Sequence, residues 1–134
     1  MTPTAIILVV DDNPTNLKLA ADVLESEGYL ILRARDAVEA QAVIATTQPD
    51  LILMDIQMPG MDGLTLTRLL KKNPLYAHIR IIALTAFAMK GDDLKATEAG
   101  CDGYITKPIE TRKLPAQVAA LLKRPSAHPV RTTP

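Results

Sequence analysis

The sequence predicts an α/β domain, (βα)5, in which five parallel strands form a doubly wound sheet of order 2-1-3-4-5 with helices on both faces. Three observations predict it. Short apolar runs rich in Val, Ile and Leu occupy residues 5–10, 30–35, 51–54, 81–84 and 103–106, and each is followed by a stretch of helical character. Such runs, bounded by turn residues, read as buried parallel strands. Polar residues stand at the carboxyl ends of four of them: Asp11 and Asp12, Asp55, Thr85, and Lys107. Those ends converge on one edge of a parallel sheet, where open α/β sheets bind ligands, and order 2-1-3-4-5 puts the switch point between strands one and three.

The elements follow in order. After the first strand, Asn13 is a candidate helix cap and Pro14 suits the first helical position, with Leu17, Ala20, Ala21 and Leu24 as the apolar stripe. Glu27, Gly28 and Tyr29 end that helix. Asp36 and Glu39 resemble a capping box that opens a second helix running through about Thr46. Pro49 and Asp50 punctuate before strand three, and residues 58–63 carry turn chemistry before a helix over 64–72, closed by Asn73 and Pro74. A fourth helix is expected over 91–99 and a fifth over 111–122. From Pro125 the chain loses periodicity and is expected to be a disordered tail, leaving one domain over residues 4–124.

The 134 residues suffice for one buried core. Fifteen basic and fifteen acidic residues cancel, and no basic cluster with interleaved aromatics appears, which argues against nucleic acid as a partner. The longest apolar runs fall far short of the roughly twenty residues that cross a bilayer, and the amino terminus lacks a leader pattern, so a cytoplasmic location without membrane contact is expected. Cys101, beside Gly100 and Asp102, reads as a small residue at a turn rather than a nucleophile. His78 reads as a loop residue, His128 lies in the tail, and neither has partners at transition-metal spacing. Lys71 and Lys72 read as a solvated helix end.

Carboxylates from Asp11, Asp12 and Asp55 held close together repel by about 4 kcal/mol per pair at 4 Å and an effective dielectric of 20. Something positive must offset this. An all-oxygen ligand set with room for water suits Mg²⁺. Lys107 supplies a mobile charge that pairs with a carboxylate at rest or with a phosphoryl oxygen, and Thr85 supplies a hydroxyl. Around Asp55 this makes an electrostatic cradle for a phosphoryl group in transfer, with Asp55 the natural nucleophile. Each acidic residue alone is more easily read as a helix cap, Asp12 among them. The five together at strand ends favour the phosphoryl reading.

The segments Val10 to Pro14, Leu53 to Gly63, Leu84 to Ala86 and Tyr104 to Pro108 resemble, in order and spacing, the signatures of the receiver domain of two-component response regulators, the chemotaxis-regulator-like branch of the flavodoxin-like folds. The resemblance spans residues 4–124. The stretch from Phe87 to Asp93 is similar to single-domain receivers of the DivK type and to receivers of hybrid kinases. The resemblance implies a phosphoacceptor in a phosphorelay rather than an enzyme acting on a separate substrate. Asp55 would take a phosphoryl group from the phosphohistidine of a sensor histidine kinase or histidine phosphotransfer protein, the pocket catalysing its own phosphorylation and dephosphorylation. Asp12, Asp55 and the backbone carbonyl of Gln57 would ligate Mg²⁺, with Asp11 acting through a bound water. Thr85 and Lys107 would contact the phosphoryl oxygens, Ala86 would leave them room, and Lys107-Pro108 would be cis.

The same resemblance implies a switch in which the Thr85 hydroxyl moves toward the phosphate and the Tyr104 ring turns inward, re-forming the surface of helix four, strand five and helix five for a downstream protein, with the chain a monomer or a phosphorylation-dependent dimer. Phe87 and Gln57 would flank the phosphate, and Met89 would serve a partner surface. Met54, Met58 and Met61 are expected to pack the active loop. Three rival readings exist. A haloacid-dehalogenase-like phosphatase needs a second Asp two residues after its nucleophile, and Pro14 and Asn13 stand there instead. A non-phosphorylated pseudo-receiver would have lost signature residues that are all present. A receiver excised from a hybrid kinase stays open.

Overall fold

The computed structural model describes residues 4–58, 60–85 and 92–123. Ten elements alternate: β1 (Ile6–Val10), α1 (Pro14–Ser26), β2 (Leu30–Ala34), α2 (Ala37–Thr46), β3 (Leu51–Asp55), α3 (Gly63–Lys72), β4 (Arg80–Thr85), α4 (Asp92–Ala99), β5 (Gly103–Thr106) and α5 (Leu114–Lys123). The strands are all parallel in the order β2-β1-β3-β4-β5, as the sequence predicts.

Side chains of a strand alternate between faces, and this divides the core in two. Leu8, Val10, Ile52, Met54, Ile81 and Ala83 pack under α2, α3 and α4, against Ala40, Ile44, Leu66, Leu70 and Ala96. Ile7, Val9, Leu51, Leu53, Ile82 and Leu84 pack under α1 and α5, against Ala20, Leu24, Leu114 and Val118. β1, β3 and β4 are interior strands covered on both faces, which is why their sequences are apolar almost throughout.

Local chemistry sets the helix ends. The Asn13 side chain accepts from the N–H groups of Thr15 and Asn16, and Pro14 takes the first helical position, where no N–H partner is needed. Asp36 caps α2 by accepting from Glu39 N–H at 2.8 Å. The return bond of the expected capping box lands one residue early: Glu39 Oε1 accepts from the N–H of Arg35, not Asp36. Gly28 and Gly100, each just past a helix, hold φ of 95° and 106°, the left-handed region that lets the chain reverse into β2 and β5.

Three further expectations need correction in this fold. α3 starts at Gly63, because Asp62 is its cap and accepts from Thr65 N–H at 2.8 Å. α5 starts at Leu114 rather than at 111, because Pro115 has no N–H to give inside a helix and is accommodated only in its first turn; residues 111–113 form a turn instead. Lys71 is no solvated helix end: its side chain is 4% exposed, and its Nζ donates to the carbonyls of Ala77 and Ile79 and to Asp102 Oδ2, at 3.1, 2.7 and 3.0 Å. Lys72 does face solvent. Expectations for Ala86, Phe87, Met89 and the tail from Pro125 fall outside the described residues.

Candidate phosphoryl-accepting site

The carboxyl ends of β1, β3 and β4 and the segment after β5 meet at one edge of the sheet. Asp11 follows β1, its N–H donating to Ala34 O while its Oδ1 accepts from Asn13 N–H at 2.9 Å. Asp55 is the last residue of β3. Its Oδ1 accepts from Gln57 N–H at 2.9 Å, and the following N–H, of Ile56, donates to Leu84 O across to β4. Both carboxylates are sealed from solvent, at 0% and 1% exposure. Asp12 is exposed, and the α1 cap is Asn13, so Asp12 is left facing the pocket mouth rather than committed to the helix.

Carboxylate oxygens of Asp11, Asp12 and Asp55 lie within 4.8 Å of one another. The counter-charge is Lys107, whose Nζ is 3.1 Å from Asp11 Oδ2 and 3.3 Å from Asp55 Oδ2. Its backbone is pinned by Lys107 N–H to Thr85 O at 2.6 Å, and the Lys107-Pro108 peptide is cis. Those same Oδ2 atoms accept no well-formed hydrogen bond, so the ammonium answers their charge without completing their coordination. Buried acceptors normally find partners. Three carboxylates with two unsatisfied buried oxygens form an oxygen-only donor set that fits a hard divalent cation.

Burial is the main cause that pushes the Asp55 carboxyl up to about 6. The Gln57 N–H works against it, the Asp11 charge adds to it, and Lys107 lowers it again.

Thr85 ends β4 buried, one residue beyond the register pair Asp55↔Leu84. Tyr104 lies on the edge strand β5, paired with Ala83 and 48% exposed, apart from the carboxylates. Met54 and Met58 are buried near the loop as expected, whereas Met61 is 37% exposed, its Sδ 4.0 Å from Gln41 Nε2. Cys101 is buried, and burial pushes its thiol up to about 11, which keeps it unreactive. The sequence reading missed Asp102, whose Oδ2 accepts from both Lys71 and Ile81 N–H; a lone Asp in a turn carries no signal of a distant lysine.

A parallel 2-1-3-4-5 sheet with this acidic edge defines a class, and the family model described as response regulator receiver domain matches residues 7–119. The chain belongs to that family of two-component signalling proteins. Within it, the chain is 46% identical over 106 residues to the polar-differentiation response regulator DivK of Brucella ovis, covering 79% of this chain and 86% of that one. The DivK of Brucella anthropi is 47% identical over 103 residues, 77% and 84% of the two chains. Among solved structures, the signal receiver domain of a signal transduction histidine kinase from Syntrophus aciditrophicus superimposes with a TM-score of 0.81 at 36% identity, covering 96% of this chain and all of the other. A CheY-like receiver domain protein from Methanospirillum hungatei JF-1 does so with 0.81 at 32%, covering 90% and 94%. No helix among the described residues is long and apolar enough to cross a membrane.

Proposed function

We propose that this receiver works as a DivK-like phosphoacceptor in a phosphorelay, in the cytoplasm, taking a phosphoryl group onto Asp55 from the phosphohistidine of a sensor histidine kinase or histidine phosphotransfer protein. The observation that carries the reading is a buried Asp55 carboxylate facing Lys107 Nζ at 3.3 Å, with Asp11 and Asp12 gathered beside it. The Gln57 N–H fixes the plane of the nucleophile. Attack of an Asp55 oxygen on phosphorus breaks the P–N bond, the imidazole leaves, and an aspartyl phosphate remains.

Asp12, Asp55 and the Gln57 carbonyl would hold Mg²⁺, with Asp11 acting through water; the ion supplies charge neutralisation for the phosphoryl oxygens. Lys107 leaves its resting carboxylates to meet a phosphoryl oxygen, and Thr85 reaches it from β4 with its hydroxyl. Water delivered to the same cradle reverses the modification.

Intact-protein mass after incubation with acetyl phosphate and Mg²⁺ tests this. One added phosphoryl group is expected, absent in Asp55→Asn and without Mg²⁺; an adduct that persists in Asp55→Asn would contradict the assignment. Output follows from the half-exposed Tyr104 ring beside a depression lined by Pro108, Glu110, Lys113 and Gln117. Movement of Thr85 toward the phosphate opens room for the ring and reshapes the α4–β5–α5 surface for a downstream protein or a second copy. Tyr104→Ala is expected to keep Asp55 phosphorylation and lose phosphorylation-dependent partner capture or dimerisation. Retention of both would remove Tyr104 from the switch.

A second reading has one observation in its favour: the likeness to a receiver of a histidine kinase covers 96% of this chain. On that reading the receiver operates inside a hybrid kinase, with the same chemistry, and the reading frame of the gene decides between them.

A further inference from the structure

Gly63 is buried, the first residue of α3, and its φ lies outside the left-handed region, so the backbone conformation does not explain a glycine there. Space does. A Cβ built on Gly63 would sit 2.2 Å from the carbonyl oxygen of Asp55, 2.9 Å from its carbonyl carbon and 2.8 Å from Ile56 Cα. All three are backbone atoms and cannot rotate away. The start of α3 is therefore seated directly on the Asp55-Ile56 peptide, the one that follows the phosphoacceptor.

Both sides of this contact are held. The peptide is tied to β4 by Ile56 N–H to Leu84 O at 3.1 Å, and β3 is an interior strand. The first turn of α3 is tied by the Asp62 cap and by the buried Thr67 hydroxyl, which donates to Gly63 O at 2.7 Å. Leu66 anchors this end of the helix in the core. Ordinary contact distance could be restored only by parting the two segments by about 1 Å. That displacement would fall on the described residues next to the contact, among them Gln57, whose N–H orients the Asp55 carboxylate.

We propose that Gly63 is a positioning residue for phosphoryl acceptance: the absence of a side chain there lets α3 clamp the Asp55-Ile56 peptide and hold the Asp55 carboxylate in its attacking orientation. The proposal rests on Asp55 being the acceptor. A shift of about 1 Å in a reacting group can cost on the order of a hundredfold in rate.

The test compares wild type, Gly63→Ala and Leu70→Ala, the last a core truncation in the same helix that leaves the clamp intact. Two quantities are read: the saturating rate of acetyl phosphate-dependent adduct formation per folded molecule, and amide hydrogen exchange at Gln57 in metal-free protein. Gly63→Ala is expected to lose at least tenfold in the saturating rate, with the half-saturating donor concentration little changed, and to lose protection at Gln57. Leu70→Ala, though less stable, is expected to keep the wild-type rate and protection once corrected for its stability. A Gly63→Ala protein within twofold of wild type, or an equal loss in Leu70→Ala, overturns the proposal. If Gly63→Ala does not fold, Thr67→Val, which removes the hydroxyl bond to the Gly63 carbonyl without adding bulk at the contact, decides it: a severalfold slower rate with weakened Gln57 protection supports the clamp, and wild-type behaviour overturns it. Because exchange at Gln57 needs no phosphoryl transfer, lost protection alongside a wild type that accepts nothing would refute the function and leave the clamp standing.

Discussion

Asp55 shows how a single side chain can make stability depend on pH and metal. Its folded value of about 6 lies above the ordinary 3.8. Between those values the folded protein holds a proton that the unfolded chain has released, so this group favours folding most below pH 4 and loses that contribution as pH rises toward 6. In chelator-treated protein, urea midpoints followed from pH 4 to 7.5 should therefore decline more steeply for wild type than for Asp55→Asn. Equal slopes would show that burial does not raise this carboxyl. Mg²⁺ should restore wild-type stability chiefly above pH 6, where Asp55 is ionised. The residues of the pocket were legible because each stands at the end of an apolar run. Gly63 was less so: its motif reads as a turn, and only the packing of α3 on the Asp55 peptide shows that it is there for clearance.

Among the elements, α3 carries the least expected chemistry. Its last turn contributes Lys71, whose ammonium satisfies two carbonyls before β4 and the carboxylate of Asp102 before β5. Both charged side chains are nearly sealed, at 4% and 7% exposure. Removing one member of such a pair strands the other, and Lys71→Met is expected to cost about 3 kcal/mol, against less than ~0.5 kcal/mol for Lys72→Ala, by urea denaturation. Equal effects would mean the pair is dispensable. Neighbouring lysines look alike in sequence, and periodicity alone does not tell which one turns inward. The start of α5 was misread for a different reason: residues 111–113 continue an apparent amphipathic pattern, but Pro115 permits a helix only if it lies in the first turn.

At the scale of the molecule, two half-cores share one sheet, and neither can form without it. Val118 lies in the half-core of α1 and α5, away from the carboxylates in sequence. Val118→Asp would bury an unpaired charge there. Circular dichroism and adduct mass should then fail together, through loss of the fold rather than of any pocket residue; a folded, phosphoryl-competent variant would show the half-cores to be independent. Strand order and helix faces were readable because interior parallel strands must be apolar throughout and βα crossovers have one hand. Contacts between elements far apart in sequence, such as Lys71 with Asp102, lay beyond any local pattern.

The site draws Asp11 and Asp12 from the first strand's end and Lys107 from just after the last. A chain emerging from the ribosome carries its acidic residues early and the ammonium that answers them late. Until β5 docks at the sheet edge, the carboxylates lack their lysine partner and Tyr104 has no strand to sit on. On the proposed function, order of synthesis would leave only a chain folded through β5 equipped to accept a phosphoryl group.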